Sequence, residues 1–203
     1  PFGGSAAEPS TTSTAATSTS VDADTTSVSG GATSTSDGSI TASVETGDTA
    51  MPLELERCQD DDLMIPDDSP LGVTSSIGFI EDGAIVDLRV AVLVTHSWVG
   101  DLSFELSHDG TTLVVLDRPG DAMCSGDDVD VVLHDGAVDT IDAACLGDGQ
   151  GVPALSGELL PESAIAPVFA GQSMTGTWEL RVSDGNMADV GTVTGWCLQL
   201  VYR

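Results

Sequence analysis

The chain has 203 residues, enough for one or two domains, and it carries a formal net charge of -28 with no lysine. Such a surface repels phosphate backbones and anionic lipids, which excludes nucleic-acid binding and lipid docking and makes cations the natural partners. No apolar run approaches the roughly 18 residues that a membrane span needs, so we expect no membrane insertion.

Residues 1–50 are dominated by serine, threonine, glycine and alanine and contain no positive charge. A segment of this composition cannot bury enough apolar area to offset its chain entropy, so we predict a disordered Ser/Thr-rich linker. It begins with proline and has no basic region followed by an apolar run, so we expect any signal peptide or further domain to lie upstream. We place an acidic lead-in at residues 51–63 and one folded domain at residues 64–203.

The folded part shows the two-residue periodicity of β-strands and no convincing helical period. Residues 84–95 alternate most clearly, and one face of this predicted strand carries Val86, Leu88, Val90, Val92 and Val94. The other predicted strands cover residues 73–80, 102–107, 111–117, 129–133, 154–159, 175–183 and 191–202. About eight or nine short antiparallel strands separated by Gly/Asp turns indicate an all-β jelly-roll sandwich or barrel.

A hairpin is predicted at the centre of the chain. Leu102, Phe104 and Leu106 form the apolar face of its first strand, and Asp109-Gly110 suits a tight turn with positive φ at both central positions. Just before this hairpin, an imidazole, an indole, a glycine and a carboxylate occur close together and are expected to shape a corner. They are His96, Trp98, Gly100 and Asp101.

Four cysteines occur at wide spacing without a Cys-x-x-Cys pair, which favours two disulfides over a zinc site. Three pairings are possible, and spacing alone does not decide among them. We favour Cys124 with Cys145, which would clamp an acidic loop, and Cys58 with Cys197, which would tie the first strand to the last.

Several separate motifs resemble the P domain, also called the P/Homo B domain. They are Gly100-Asp-Leu, Asp109-Gly-Thr, Arg118-Pro-Gly, Cys124-Ser-Gly-Asp-Asp and Gly176-Thr-Trp-Glu-Leu-Arg-Val-Ser-Asp184, followed by Gly191 and Trp196. The resemblance covers roughly residues 64–203. The residues of these motifs and of the His96-Ser-Trp98 entry, which also resembles the family, expected to shape the fold are His96, Trp98, Gly100, Gly176, Trp178, Asp184 and Trp196. His108 departs from the family, which commonly has proline ahead of this turn.

The resemblance implies a jelly-roll accessory module that follows the catalytic domain of subtilisin-like serine endopeptidases, including proprotein convertases and bacterial secreted proteases. It implies a non-catalytic role in stabilising or regulating that domain, a protease catalytic domain as partner, and an extracellular or cell-surface location. The rival interpretation is a free-standing adhesion or ligand-binding β-sandwich module. Asp, His and Ser protease motifs upstream of residue 1 would favour the first interpretation.

Direct catalysis is the less favoured interpretation. Gly171-Gln-Ser173-Met174 superficially resembles the nucleophile element of subtilisin-like enzymes, with His96 and Asp101 as conceivable partners. The predicted fold lacks the parallel α/β sheet that normally assembles such a triad, so we assign no catalytic residue and expect Ser173 to be a loop hydroxyl. We expect His108 and His134 to be solvated, and His96 to be a packed corner residue.

Calcium is the possible cofactor. Aspartates cluster at residues 60–68 and again after Cys124, and calcium takes six to eight hard oxygen ligands. The family resemblance places the Asp101 corner near the loop after Cys124, so a candidate site comprises Asp101, Asp127 and Asp128. The alternative is that these carboxylates are simply solvated.

Overall fold

The computed structural model describes residues 51–203, and the linker predicted at residues 1–50 lies outside this range. The described residues form ten strands, two short helices and a single 3-10 turn. In chain order these are β1 (Leu53–Ile65), β2 (Ser69–Phe79), β3 (Ile85–His96), the 3-10 turn (Val99–Asp101), β4 (Leu102–His108), β5 (Thr111–Asp117), β6 (Val129–Leu133), β7 (Asp139–Thr140), α1 (Ile141–Ala144), β8 (Leu155–Leu160), α2 (Ala166–Phe169), β9 (Gly176–Asp184) and β10 (Gly191–Tyr202).

The strands form two sheets, with the orders β1-β10-β3-β6-β8-β7 and β2-β9-β4-β5. If β7 and β8 are set aside as an added pair, successive strands alternate between the sheets except at the β4–β5 hairpin, as in a jelly roll built from two Greek keys. The predicted all-β fold class is therefore confirmed. The expectation that every strand would be antiparallel is wrong at one place, because β8 pairs in parallel with both β6 and β7.

The prediction of an acidic lead-in at residues 51–63 is wrong, because β1 begins at Leu53 and pairs along its length with β10. Acidic residues lower strand propensity, so β1 was not predicted from the sequence. In the structure, Glu54, Glu56 and Asp60 are exposed on an edge strand, where charge discourages pairing with other molecules. The inward-facing Asp61 accepts a hydrogen bond from Ser75.

The core lies between the inner faces of the two sheets. The predicted apolar faces of β4, β9 and β10 are buried, including Phe104, Trp178 and Trp196. On β3, Val86 is only half-buried, against prediction, because the pairing with β10 shifts between Val201 and Tyr202 and turns Ile85 inward instead. The hairpin turn between β4 and β5 is as predicted, with φ of 45° at Asp109 and 77° at Gly110.

Candidate functional site

The candidate site is a buried polar corner where β3 ends and β4 begins. The 3-10 turn brings the chain against the loop after Cys124, and the Gly100 N–H donates to the Cys124 carbonyl at 2.8 Å. A Cβ at Gly100 would lie 2.8 Å from the carbonyl carbon of Ala122 and 2.9 Å from the amide nitrogen of Cys124. Glycine is therefore needed here because two stretches of backbone approach closely.

Three titratable side chains are buried at this corner, namely His96, Asp101 and Asp184. His96 Nε2 lies 3.4 Å from Asp184 Oδ2, and its Nδ1 lies 2.9 Å from the Trp98 carbonyl oxygen. Asn186 joins the two carboxylates, because its N–H donates to Asp184 Oδ1 at 3.0 Å and its Nδ2 donates to Asp101 Oδ1 at 3.1 Å. The corner is thus a hydrogen-bonded network.

Burial raises the pKa of Asp184 above its ordinary value, and the nearby Asp101 carboxylate adds to the rise. The hydrogen bond from the Asn186 N–H and the His96 ring oppose this rise, because each favours the ionised carboxyl. Buried polar groups of this kind need partners, and the network supplies them. Asn186 was missed in the sequence, although the Asp-Gly-Asn turn that carries it is a recognisable signal.

The acidic loop after Cys124 is attached to this corner. Asp128 Oδ1 accepts a hydrogen bond from the His96 N–H at 3.0 Å, and the Asp128 N–H donates to the His96 carbonyl, also at 3.0 Å. The backbone oxygens of Asp127 and Asp128 both accept from the Ala154 N–H. The corner and the loop therefore lie side by side, as the resemblance implied.

The structure does not gather Asp101, Asp127 and Asp128 into a ligand set. Within residues 51–203, the one group of three or more ligand atoms lying within 4.8 Å of one another is Glu56 with Cys58 and Cys197. Those two cysteines are bonded to each other, and Asp101 and Asp128 each accept hydrogen bonds from protein donors. These three carboxylates thus do not form a ready-made calcium site, and calcium binding stays a prediction.

A second buried corner lies at the far end of β4, about 20 Å away for a seven-residue strand. Here Trp178 is fully buried, and His108 stacks on it with ring centroids 4.1 Å apart and planes 2° apart. The two ring nitrogens of His108 lie 2.8 Å from the Ser173 carbonyl oxygen and 3.1 Å from that of Thr177. A Cβ at Gly176 would lie 3.3 Å from the His108 ring. The φ of Gly176, 127°, also favours glycine at this position.

The expectation that His108 and His134 are solvated is wrong. The His108 ring covers Trp178, and His134 is buried, with Nδ1 accepting from the Gly136 N–H and Nε2 lying 3.3 Å from Glu158 Oε2. His108 ends β4, and His134 directly follows β6. The turn-like sequence around each histidine does not indicate which neighbouring residues cover its ring. His96 is packed, as expected.

Ser173, His96 and Asp101, the candidates for a catalytic triad among the described residues, do not form a Ser-His-Asp arrangement. Ser173 Oγ accepts a hydrogen bond from the Thr175 N–H at 3.2 Å, and the nearby His108 ring meets the Ser173 carbonyl rather than its hydroxyl. His96 and Asp101 lie at the other end of β4. Ser173 is a loop hydroxyl here, as predicted.

Two disulfides are formed, and their pairing is the one that the sequence analysis favoured. Cys58 pairs with Cys197 across β1 and β10, and Cys124 pairs with Cys145 across the acidic loop.

Trp196 is buried between the sheets, and its Nε1 donates a hydrogen bond to Ser75 Oγ at 2.8 Å. Among the described residues, no helix has the length and apolar character to cross a membrane.

The fold is shared with part of a serine protease structure that differs greatly in sequence. The crystal structure of the Aeromonas sobria serine protease in complex with a chaperone matches 75% of this chain at 16% identity and a TM-score of 0.51. The crystal structure of the serine protease of Aeromonas sobria matches 75% at 15% identity and a TM-score of 0.48. This chain spans only 27% of either protease chain, so the likeness concerns one part of them.

No curated protein sequence matches this chain. A family model does match, over the segment that contains β9, most of β10 and the Trp178, Asp184 and Trp196 positions of the motifs. Residues 157–200 match the proprotein convertase P-domain, which confirms the family resemblance seen in the sequence for this segment.

Proposed function

We propose that this chain is the non-catalytic accessory P domain of a secreted subtilisin-like serine endopeptidase, and that it stabilises or regulates the catalytic domain. The observation that carries the proposal is the match of residues 157–200 to the proprotein convertase P-domain. The jelly-roll order of the strands and the two buried corners support it, because they use the motif residues for packing and hydrogen bonding.

The physical basis of such a role is linkage. A surface that contacts only the folded protease raises the free energy of unfolding of that protease by mass action. The two disulfides support a location in an oxidising compartment outside the cytoplasm, since such bonds persist there and are rare inside. The partner in this proposal is a protease domain.

The test compares the complete protein with a version that lacks residues 51–203. If the complete protein carries a subtilisin-like domain, the shortened protease should lose activity faster at elevated temperature while its initial cleavage rate per active site is retained. Equal inactivation rates would contradict the stabilising role. A complete protein without protease motifs would contradict the proposal and favour a free-standing binding module.

Calcium is tested separately by calorimetric titration and by thermal melting with and without the ion. Heat of binding together with a higher melting temperature would support a site at Asp101, Asp127 and Asp128, and Asp127→Asn should weaken it. No heat and no change in melting temperature would remove calcium from the proposal.

A further inference from the structure

The outer face of the six-stranded sheet is apolar at its centre. A sheet with one face in water is expected to carry polar side chains on that face. Here the Cys58–Cys197 disulfide, Ala91 on β3 and Val132 on β6 lie side by side in register and point outward. None of these is polar, so the centre of the face is unlike an ordinary solvated surface.

The neighbouring row of the same face is hollow. Asp60, Gly195, Leu93 and Asp130 follow one another across β1, β10, β3 and β6. Gly195 contributes no side chain, and a Cβ there would lie 3.0 Å from the Gln59 carbonyl oxygen. Leu93 beside it is 48% exposed. The two rows together form a groove of about 180 Å³, called the outer groove below.

The rim of the outer groove is negatively charged. Asp60 and Asp130 lie in one row three strand spacings apart, which is about 14 Å. Glu56 and Glu158 line the adjoining part of the face, where Arg89 lies 3.5 Å from Glu158 and offsets one of the charges. An apolar floor between carboxylates is complementary to a partner that is both apolar and cationic.

We propose that the outer groove binds a protein segment that presents a large apolar side chain flanked by arginine or lysine. The apolar side chain would cover Leu93 and the disulfide, which removes apolar area from water. The basic side chains would meet Asp60 and Asp130, and a net charge of -28 would speed the approach of such a partner. The width between these carboxylates admits one extended segment or one helix, which is about 10 Å across.

This inference does not depend on the proposed function, because any basic protein segment of this chemistry would serve. The probe is a synthetic, end-blocked peptide in which leucines alternate with arginines. Two control peptides replace either every arginine with glutamine or every leucine with serine. Each is titrated into the isotope-labelled full chain, and amide shifts are followed by NMR at low and high salt.

We expect the leucine-arginine peptide to shift amides around Ala91, Leu93 and Val132, with affinity that falls as salt rises. Leu93→Ser and the double variant Asp60→Asn with Asp130→Asn should each weaken binding about fivefold or more, which corresponds to about 1 kcal/mol. The matched controls are Leu71→Ser and Glu179→Gln, which remove an exposed leucine and an exposed carboxylate from the other sheet. They should leave the affinity unchanged.

Several outcomes would overturn the proposal. These are no binding of the leucine-arginine peptide, equal binding of either control peptide, or shifts spread over the acidic surface instead of the outer groove. Equal losses in the two control variants would do the same. The spectrum of each variant shows whether it is folded, and all five substitution sites are exposed, so the comparison does not depend on core packing.

Discussion

The two disulfides should contribute unequally to stability, because they close loops of very different length. Cys58 and Cys197 are 139 residues apart, whereas Cys124 and Cys145 are 21 residues apart. The chain-entropy relation gives losses of about 5 kcal/mol and about 3 kcal/mol, respectively, when each bridge is removed. We therefore expect Cys58→Ala with Cys197→Ala to be the more destabilising pair of substitutions, by somewhat less than 2 kcal/mol.

The assay is urea unfolding of both double variants and of the wild type under oxidising conditions, with free energies extrapolated to water. The loss of packing on substitution reduces the expected difference in unfolding free energy. Cys124 is fully buried whereas Cys58 is exposed, so replacing Cys124 costs more packing. Repeating the series under reducing conditions, where no bridge exists, measures the packing cost of the substitutions alone. If the long-range pair still costs no more than the short-range pair after this correction, the loop-entropy reasoning is refuted.

Three further predictions concern the two buried corners. Because burial raises the pKa of Asp184, its carboxyl stabilises the fold fully at low pH, and this contribution falls as the pH rises through the folded-state value. Relative to wild type, Asp184→Asn should therefore gain stability as pH rises through the acid range, and a pH-independent difference in urea unfolding would contradict this. Gly100→Ala should cost about 1–3 kcal/mol because its Cβ meets backbone, whereas Gly78→Ala, with nothing within 4 Å, should change the free energy of unfolding by less than about 0.5 kcal/mol. Trp178→Ala should cost about 3–5 kcal/mol in the same assay, and a loss under 1 kcal/mol would show that the stacked pair is not part of the core.

Strands with clear apolar alternation could be predicted from the sequence because burial on one face dominates their composition. The faces of β4, β9 and β10 are examples, and so is the Asp109-Gly110 turn, whose positive φ values restrict the residues it accepts. In contrast, β1 is an edge strand rich in carboxylates, so its pairing is set by β10 and not by its own propensity. The parallel pairing of β8 likewise depends on where the chain returns after β7.

The buried corner was only partly predictable. The sequence motifs singled out His96, Asp101 and Asp184 one by one. However, His96 and Asp184 are 88 residues apart, and only the pairing of β4 with β9 brings Asp184 beside the corner. Asn186 links two carboxylates that no sequence spacing connects. The family resemblance placed the Asp101 corner near the loop after Cys124, but it did not indicate which N–H groups donate to the carboxylates there. The N–H groups that Asp128 and Asp101 accept from are properties of the folded chain.

The charge pattern of the six-stranded sheet has more than one physical cause. Protection of an exposed edge accounts for the carboxylates of β1, which has a partner on one side only. It does not account for Asp130 and Glu158, because β6 and β8 each have a neighbour on both sides. Simple solvation would explain these two carboxylates, but it would also place polar side chains between them and β1. That centre instead carries Ala91, Leu93 and the disulfide, a combination that a partner both apolar and cationic would match.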